Sequence, residues 1–314
     1  MFSSLQRLLR ISHYLGIDLR VMRDDLFPIT GGGNKARKII RILKEAESQG
    51  CNALVTTGGI QSNHARVTAL TAAERGWRCR LILHGDKKEL VQPKGNFLLM
   101  LLASAEIEIV QPSDIATAMR SAMDAFRSEG LTPYEIPGGG HSVAGAMAFV
   151  EAVEEVQQQC QRDGWQPDWV VLASGTGTTQ AGLIVGFERL GWQTRVLGVS
   201  VARKNPRGRD VVEQSCQEVR SHLAMTNRAQ PIDFRDDWVG EGYEKAGPAV
   251  LSAIRTVAEM EGLILDPTYT GKAFAALLDL VRTGEIAEKS KVLFWHTGGL
   301  MNIMASNYFT GARI

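Results

Sequence analysis

The chain has 314 residues, 44% of them hydrophobic, enough for one large or two ordinary domains with a sizeable core. Lys and Arg total 35 against 34 Asp and Glu, a formal charge of +1 that removes the general electrostatic case for nucleic acid or an anionic membrane as partner and leaves a small-molecule substrate. No apolar run reaches membrane-spanning length, and Cys51, Cys79, Cys160 and Cys216 are dispersed without CxxC pairing or metal-ligand spacing, as expected of reduced thiols in a cytoplasmic protein.

The first residues, Phe2-Ser3-Ser4-Leu5-Gln6-Arg7, lack a secretory apolar region. Residues 2–17 are basic, contain serine and carry no acid, so an organellar presequence is the alternative, opposed by how soon the first chemical motif follows. That motif is Gly31-Gly32-Gly33-Asn34-Lys35-Ala36-Arg37-Lys38, a glycine-dense turn running into a helix whose apolar face is Ile39, Ile40, Leu43 and Ala46. Asn34 is suited to cap that helix. Cations in a first turn oppose the helix dipole, so Arg37 and Lys38 predict an anionic neighbour.

Strand-like runs then alternate with helical periodicity: Ala53-Leu54-Val55-Thr56, Arg80-Leu81-Ile82-Leu83, Ile107-Glu108-Ile109-Val110, Trp169-Val170-Val171-Leu172, Val196-Leu197-Gly198-Val199 and Val292-Leu293-Phe294-Trp295. Ala273, Leu277, Leu278 and Val281 mark a late helix. The alternation predicts an α/β protein with parallel-rich sheets flanked by helices.

Two strand-to-helix junctions carry polar chemistry. Thr57-Gly58-Gly59-Ile60-Gln61-Ser62-Asn63-His64 gathers four polar side chains where α/β proteins bind ligands, and these face either helix-capping duty or a carboxylate-bearing ligand. Ala173-Ser174-Gly175-Thr176-Gly177-Thr178-Thr179-Gln180-Ala181-Gly182 follows a strand and precedes a helix starting near Gln180, so its amides and threonine hydroxyls suit a phosphate monoester. Its glycines do not fit G-x-G-x-x-G and no G-K-[ST] follows, which removes the main support for dinucleotides and P-loop nucleotides. A lysine, an amide and hydroxyl cluster and a phosphate loop are together the parts needed to hold pyridoxal 5'-phosphate.

With Arg23-Asp24-Asp25, Gln61-Ser62-Asn63-His64-x-Arg66, Asp266-Pro267-Thr268-Tyr269-Thr270-Gly271-Lys272 and His296-Thr297-Gly298-Gly299, the chain from about residue 20 to 300 resembles the D-cysteine desulfhydrase and 1-aminocyclopropane-1-carboxylate deaminase family. The resemblance implies the two-domain tryptophan-synthase-β-like fold, type II of the pyridoxal-phosphate enzymes. It places residues 1–47 plus 151–314 in a large cofactor-binding domain and 48–150 in a small inserted one, in a homodimer. It makes Lys35 the lysine that forms the Schiff base, Asn63 the partner of the cofactor's 3′-oxygen, Gly175, Thr176, Gly177, Thr178 and Thr179 the phosphate cradle, and Thr297 the hydroxyl near the pyridine nitrogen. Ser62, Asn63, His64 and Tyr269 would seat the substrate. Lys35, Ser62, Tyr269 and Tyr243 would carry the chemistry, although Gly242-Tyr243-Glu244-Lys245-Ala246 departs from the family's Gly-Tyr-Gly-x-Pro.

The implied reaction is β-elimination from cysteine, D-cysteine favoured, or from a β-substituted alanine, giving a 2-oxo acid, ammonia and the leaving group. Deaminases of the cyclopropane substrate carry glutamate where this chain has Thr270, and leucine where it has Thr297. A threonine offers the cofactor only a neutral hydrogen bond, which favours elimination over ring opening. A deaminase, a β-replacement amino-acid synthase and a non-catalytic pyridoxal-phosphate-holding regulator are the alternatives.

Overall fold

The computed structural model describes residues 3–226 and 230–309, so Phe2 of the basic N-terminal stretch and the last five positions of the expected large domain lie outside the described residues. In chain order, β1 (Leu5–Arg7), α1 (Leu9–Leu15), β2 (Asp18–Met22) and α2 (Asn34–Ser48) come first. They are followed by β3 (Ala53–Gly59), α3 (Asn63–Glu74), β4 (Arg78–His84), α4 (Gly95–Leu102), β5 (Glu106–Ile109), α5 (Ile115–Ser128) and β6 (Pro133–Ile136). The long α6 (Val143–Asp163) leads to β7 (Trp169–Ser174), α7 (Thr178–Arg189), β8 (Arg195–Ser200), α8 (Arg207–His222) and β9 (Asp233–Arg235). α9 (Pro248–Glu261), α10 (Thr270–Arg282), β10 (Lys291–Trp295) and α11 (Leu300–Ala305) complete the order.

The strands form a six-stranded sheet, β1-β2-β10-β7-β8-β9, and a four-stranded sheet, β5-β4-β3-β6. Every pairing is parallel except β1 with β2. Helices cover both faces, which is why β7 is buried along its whole length and reads as an unbroken apolar run. The expected α/β class is therefore the observed one. Strands β1, β2, β6 and β9 were not among the expected runs. β2 hides because its centre is Arg20, a buried guanidinium lying over the Trp165 ring and paired with Asp163.

Apolar clusters lie on the two faces of each sheet. Ile39, Ile42 and Leu43 of α2 pack with Leu54, Leu81 and Leu83 of the smaller sheet, so the helix that starts at the Lys35 turn is anchored there. The start of that helix is tied to the other sheet: Asn34 N–H donates to the Thr297 carbonyl at 3.0 Å, just past β10, and Gly33 N–H to the Asp24 carbonyl at 2.7 Å. The C-terminal ends of β2, β3, β7 and β10 consequently converge on one crevice.

Candidate active site

Lys35 enters the crevice from the first turn of α2 and donates from Nζ to the Gly139 carbonyl at 2.8 Å. Two close approaches make this geometry dependent on glycine. A Cβ on Gly32, at φ +70°, would lie 2.1 Å from the Asp25 carbonyl oxygen, and one on Gly139, at φ +72°, would lie 2.7 Å from the Thr176 methyl carbon. Asn34 does not cap α2 as expected. The helix already includes it, Gly33 is the cap residue, and the Asn34 amide reaches across to donate to Thr179 Oγ1 at 3.1 Å. The cap is forgone in favour of a contact between the lysine turn and the phosphate-loop candidate.

The anionic neighbours expected for the first-turn cations are protein carboxylates, and they serve Arg37 alone. Its guanidinium pairs with Asp24 at 2.9 Å and with Glu155 at 2.6 Å, all three groups buried or nearly so. Lys38 is just as buried and makes no ion pair among the described residues; its Nζ meets the Gly139 carbonyl, at 3.5 Å, and the Lys35 amine. Burial therefore dominates its titration and, with the charge of Lys35, pushes its pKa well below the ordinary lysine range. Burial lowers Lys35 to about 8, against a raising contribution from its hydrogen bond with Lys38. Burial and these two lysines likewise hold His64 well below the ordinary histidine range. For His141, burial and then Lys38 act in the same direction. Lys35 on the crevice wall and Lys38, His64 and His141 behind it are thus basic groups that are costly to charge until an anion arrives.

An anion has a place to go. The turn after β7 reaches α7 at Thr178, two residues earlier than expected, and no side chain caps its first amides; the cap residue is Gly177 at φ +84°. Ser174 Oγ is buried at the crevice wall without a hydrogen-bond partner among the described residues. Gly175, Thr176, Gly177 and Thr179 line the crevice, while Thr178 is set behind it, its hydroxyl 2.7 Å from His141 Nδ1 and 3.2 Å from Thr176 Oγ1. An orphan hydroxyl, free helix amides and unneutralised lysines fit the phosphate of pyridoxal phosphate.

Of the 57–64 motif, Asn63 lines the crevice, but Ser62 and His64 do not. Ser62 caps α3, accepting from Ala65 N–H at 3.2 Å. His64 is buried, with Nε2 2.9 Å from Thr56 Oγ1, and this geometry gives it no face toward a substrate.

Thr297 and Tyr269 line the crevice from the other sheet's side. The Tyr269 hydroxyl meets that of Tyr243, whose ring stands edge-on at a centroid distance of 6.0 Å. Tyr243 is 39% exposed and off the crevice wall. Burial, reinforced by Tyr243, raises Tyr269 well above the ordinary tyrosine range, so it is an un-ionised acid at neutral pH.

Thr270 does not point at the crevice as its expected electronic role requires. Its hydroxyl and amide are both committed to Asp266 Oδ1, at 2.7 and 2.8 Å, in a buried turn that also binds the Thr268 and Tyr269 amides. Three further contributors were missed: His141, Lys272 and Asn96. Gly138-Gly139-Gly140-His141 repeats the triple-glycine signal of 31–33 and could have been found by it. Lys272 is buried and donates to the carbonyls of Val239 and Gly242 at 2.8 and 2.7 Å, fixing the loop that carries Tyr243. Asn96 gives no local sequence signal. Beside the crevice a wider cavity of about 620 Å³ opens between Gln61, Lys94, Thr268, Asn302 and Tyr308. It adjoins the crevice through the neighbouring pairs Gln61 and Asn63, and Thr268 and Tyr269.

Comparison with known proteins agrees with the site. The family described as "Pyridoxal-phosphate dependent enzyme" matches residues 3–298. D-cysteine desulfhydrases of Salmonella newport and Salmonella typhimurium are each 37% identical over 305 residues, covering 96% of this chain and 92% of theirs. A crystal structure of an ACC deaminase homologue superposes with a TM-score of 0.89 at 34% identity, over 97% of this chain and 91% of that one. A hydrogen sulfide-producing enzyme from Fusobacterium nucleatum shares the fold, with a TM-score of 0.68 at 16% identity over 95% of this chain and 96% of its own. By residue match, relatives and fold, this chain belongs to the pyridoxal-phosphate-dependent enzymes, in the type II, tryptophan-synthase-β-like branch that also holds D-cysteine desulfhydrase.

Proposed function

We propose that this enzyme catalyses β-elimination from cysteine, preferring D-cysteine, or from a β-substituted alanine, releasing a 2-oxo acid, ammonia and the leaving group. The observation that carries the reading is the pairing of opposite protonation tendencies in one crevice: a buried lysine lowered to about 8 and a tyrosine kept un-ionised. Two groups pushed apart in this way suit a base and an acid.

When bound, the cofactor supplies the electron sink for negative charge developing at the substrate's α-carbon. In this reading Lys35 anchors it, the Gly175–Thr179 turn with Ser174 and Lys38 neutralises its phosphate, and Thr297 and Asn63 hold its ring. Lys35, released as a neutral amine, takes the α-proton at Nζ. Tyr269, hydrogen-bonded to Tyr243, hands its hydroxyl proton to the departing thiolate. Thr176 and Gly139 meet across the crevice and narrow the access of water to Lys35.

The wider expectations belong to the same proposal. The large domain is residues 1–47 plus 151–314 and the small one 48–150, with α2 bridging them. The enzyme acts on a small-molecule amino acid as a homodimer in the cytoplasm. Four buried, unpaired cysteines support a reducing compartment, and no helix among the described residues is long and apolar enough to cross a membrane.

D-cysteine added to the purified holoenzyme should yield pyruvate and sulfide in equal amounts, without a new amino acid when a second thiol is added. Formation of a thioether amino acid instead would make it a β-replacement synthase, and 2-oxobutyrate from 1-aminocyclopropane-1-carboxylate would make it a deaminase.

A further inference from the structure

The amide of Asn63 could face the crevice with either its oxygen or its nitrogen, and its neighbours decide which. Arg66 Nη1 donates to Asn96 Oδ1 at 2.8 Å and to Asn63 Oδ1 at 3.0 Å. A guanidinium has no acceptor, so both contacts fix an amide oxygen at that end. Asn96 must then present Nδ2, which donates to the Gln61 carbonyl at 2.9 Å and to Asn63 Oδ1 at 3.0 Å. With two donors on it, Asn63 Oδ1 is saturated. Asn63 Nδ2, which has no protein partner among the described residues, is what remains for the crevice.

Arg66 is unusual in its own right. It is 2% exposed and makes no ion pair among the described residues, its Nη2 donates to the Gly32 carbonyl at 2.9 Å, and its Nε is buried without a partner. Burial lowers its pKa to about 10, which leaves it charged at neutral pH. An unneutralised cation is therefore fixed one side chain behind a hydrogen-bond donor, and it also grips the turn three residues before Lys35.

We propose that Arg66 and Asn96 are positioning residues that lock Asn63 as a donor, and that the Arg66 charge, acting through Asn63, holds the ring oxygen of the bound cofactor in its anionic form. The inference rests on the reading of the crevice as the pyridoxal-phosphate site, since that ring oxygen is the acceptor the donor would meet. Without the charge, the oxygen holds its proton more tightly and the electron distribution of the resting cofactor changes before any substrate arrives.

The test is the substrate-free absorption spectrum of holoenzyme, in which a long-wavelength band reports the anionic ring oxygen and a short-wavelength band the protonated one. Wild type should show mainly the long-wavelength band. Arg66→Met should move the band ratio about tenfold toward the short-wavelength form, the equivalent of one pKa unit. Asn96→Ala should move it less in the same direction, and Arg66→Lys should recover most of the wild-type ratio. Should Arg66→Met not fold, Asn96→Ala decides. Folded variants carrying a full complement of cofactor with the wild-type ratio would overturn the proposal. Wild-type protein with neither band after loading with pyridoxal phosphate would instead refute the cofactor reading itself, and this inference with it.

Discussion

Arg37 and Lys38 are consecutive residues of α2, both buried, and their surroundings are opposite. Arg37 sits among Asp24, Glu155 and the Ser3 hydroxyl, while Trp295 Nε1 takes the other oxygen of Asp24. Burial alone would lower the Arg37 pKa, but the two carboxylates raise it above the ordinary arginine range. Lys38, Lys35 and His64, and Arg66 beyond them, have polar neighbours such as the Gly139 and Gly32 carbonyls but no carboxylate partner among the described residues. The first cluster is electrically complete and joins β2, α2 and α6; the second is incomplete and reaches the crevice wall at Lys35. Buried cations that the fold neutralises hold the scaffold, and those it leaves open are available to a ligand.

The largest effect that sharpens this contrast is expected at Lys35. Lys35→Ala should leave circular dichroism unchanged and lower turnover of D-cysteine by about 10³-fold or more, because anchor and base are lost together. Wild-type turnover in this variant would remove the mechanism. Next come the two neighbours, compared by urea unfolding of apoprotein. Arg37→Met strands two buried carboxylates and should cost about 3–5 kcal/mol. Lys38→Met removes a buried amine that no carboxylate among the described residues pairs, and should be neutral or stabilising by about 1 kcal/mol, while weakening pyridoxal-phosphate binding by about tenfold. Equal destabilisation by both would erase the distinction between the clusters.

The smallest effect is in pH. Burial sets the Lys35 pKa near 8, below its ordinary value, so the amine is protonated and unreactive below that pH and neutral above it. The rate of cofactor loading into apoprotein should therefore climb from pH 6.5 and level off above about 8. A rate that keeps climbing to pH 10 would place Lys35 in an ordinary, solvated environment.

Much of this was legible in the sequence where the signal is local. The Lys35 turn, Asn63 and the Gly175–Thr179 loop all lie at glycine-marked helix starts, and the structure brings residues from each into one crevice. Where a side chain's partner is remote in sequence, local rules mislead. Asn34 looks like a cap but reaches Thr179, 145 positions away, and Thr270 looks like a cofactor ligand but is taken up by Asp266. Arg37 seemed to ask for a ligand because Glu155 lies 118 residues on. Strand β2 was unreadable for the same reason, since the burial of Arg20 depends on Trp165 and Asp163 at the far end of α6. Asn96 acquires its role only when α4 is folded against α3.

The most direct test of the central claim is to load the protein with pyridoxal phosphate, reduce it with borohydride, and map the modified peptide by mass spectrometry. The account predicts one pyridoxyl group per chain, on Lys35, with Lys38 and Lys272 unmodified. Labelling of Lys38 or Lys272 in place of Lys35, or of surface lysines at random, would contradict it.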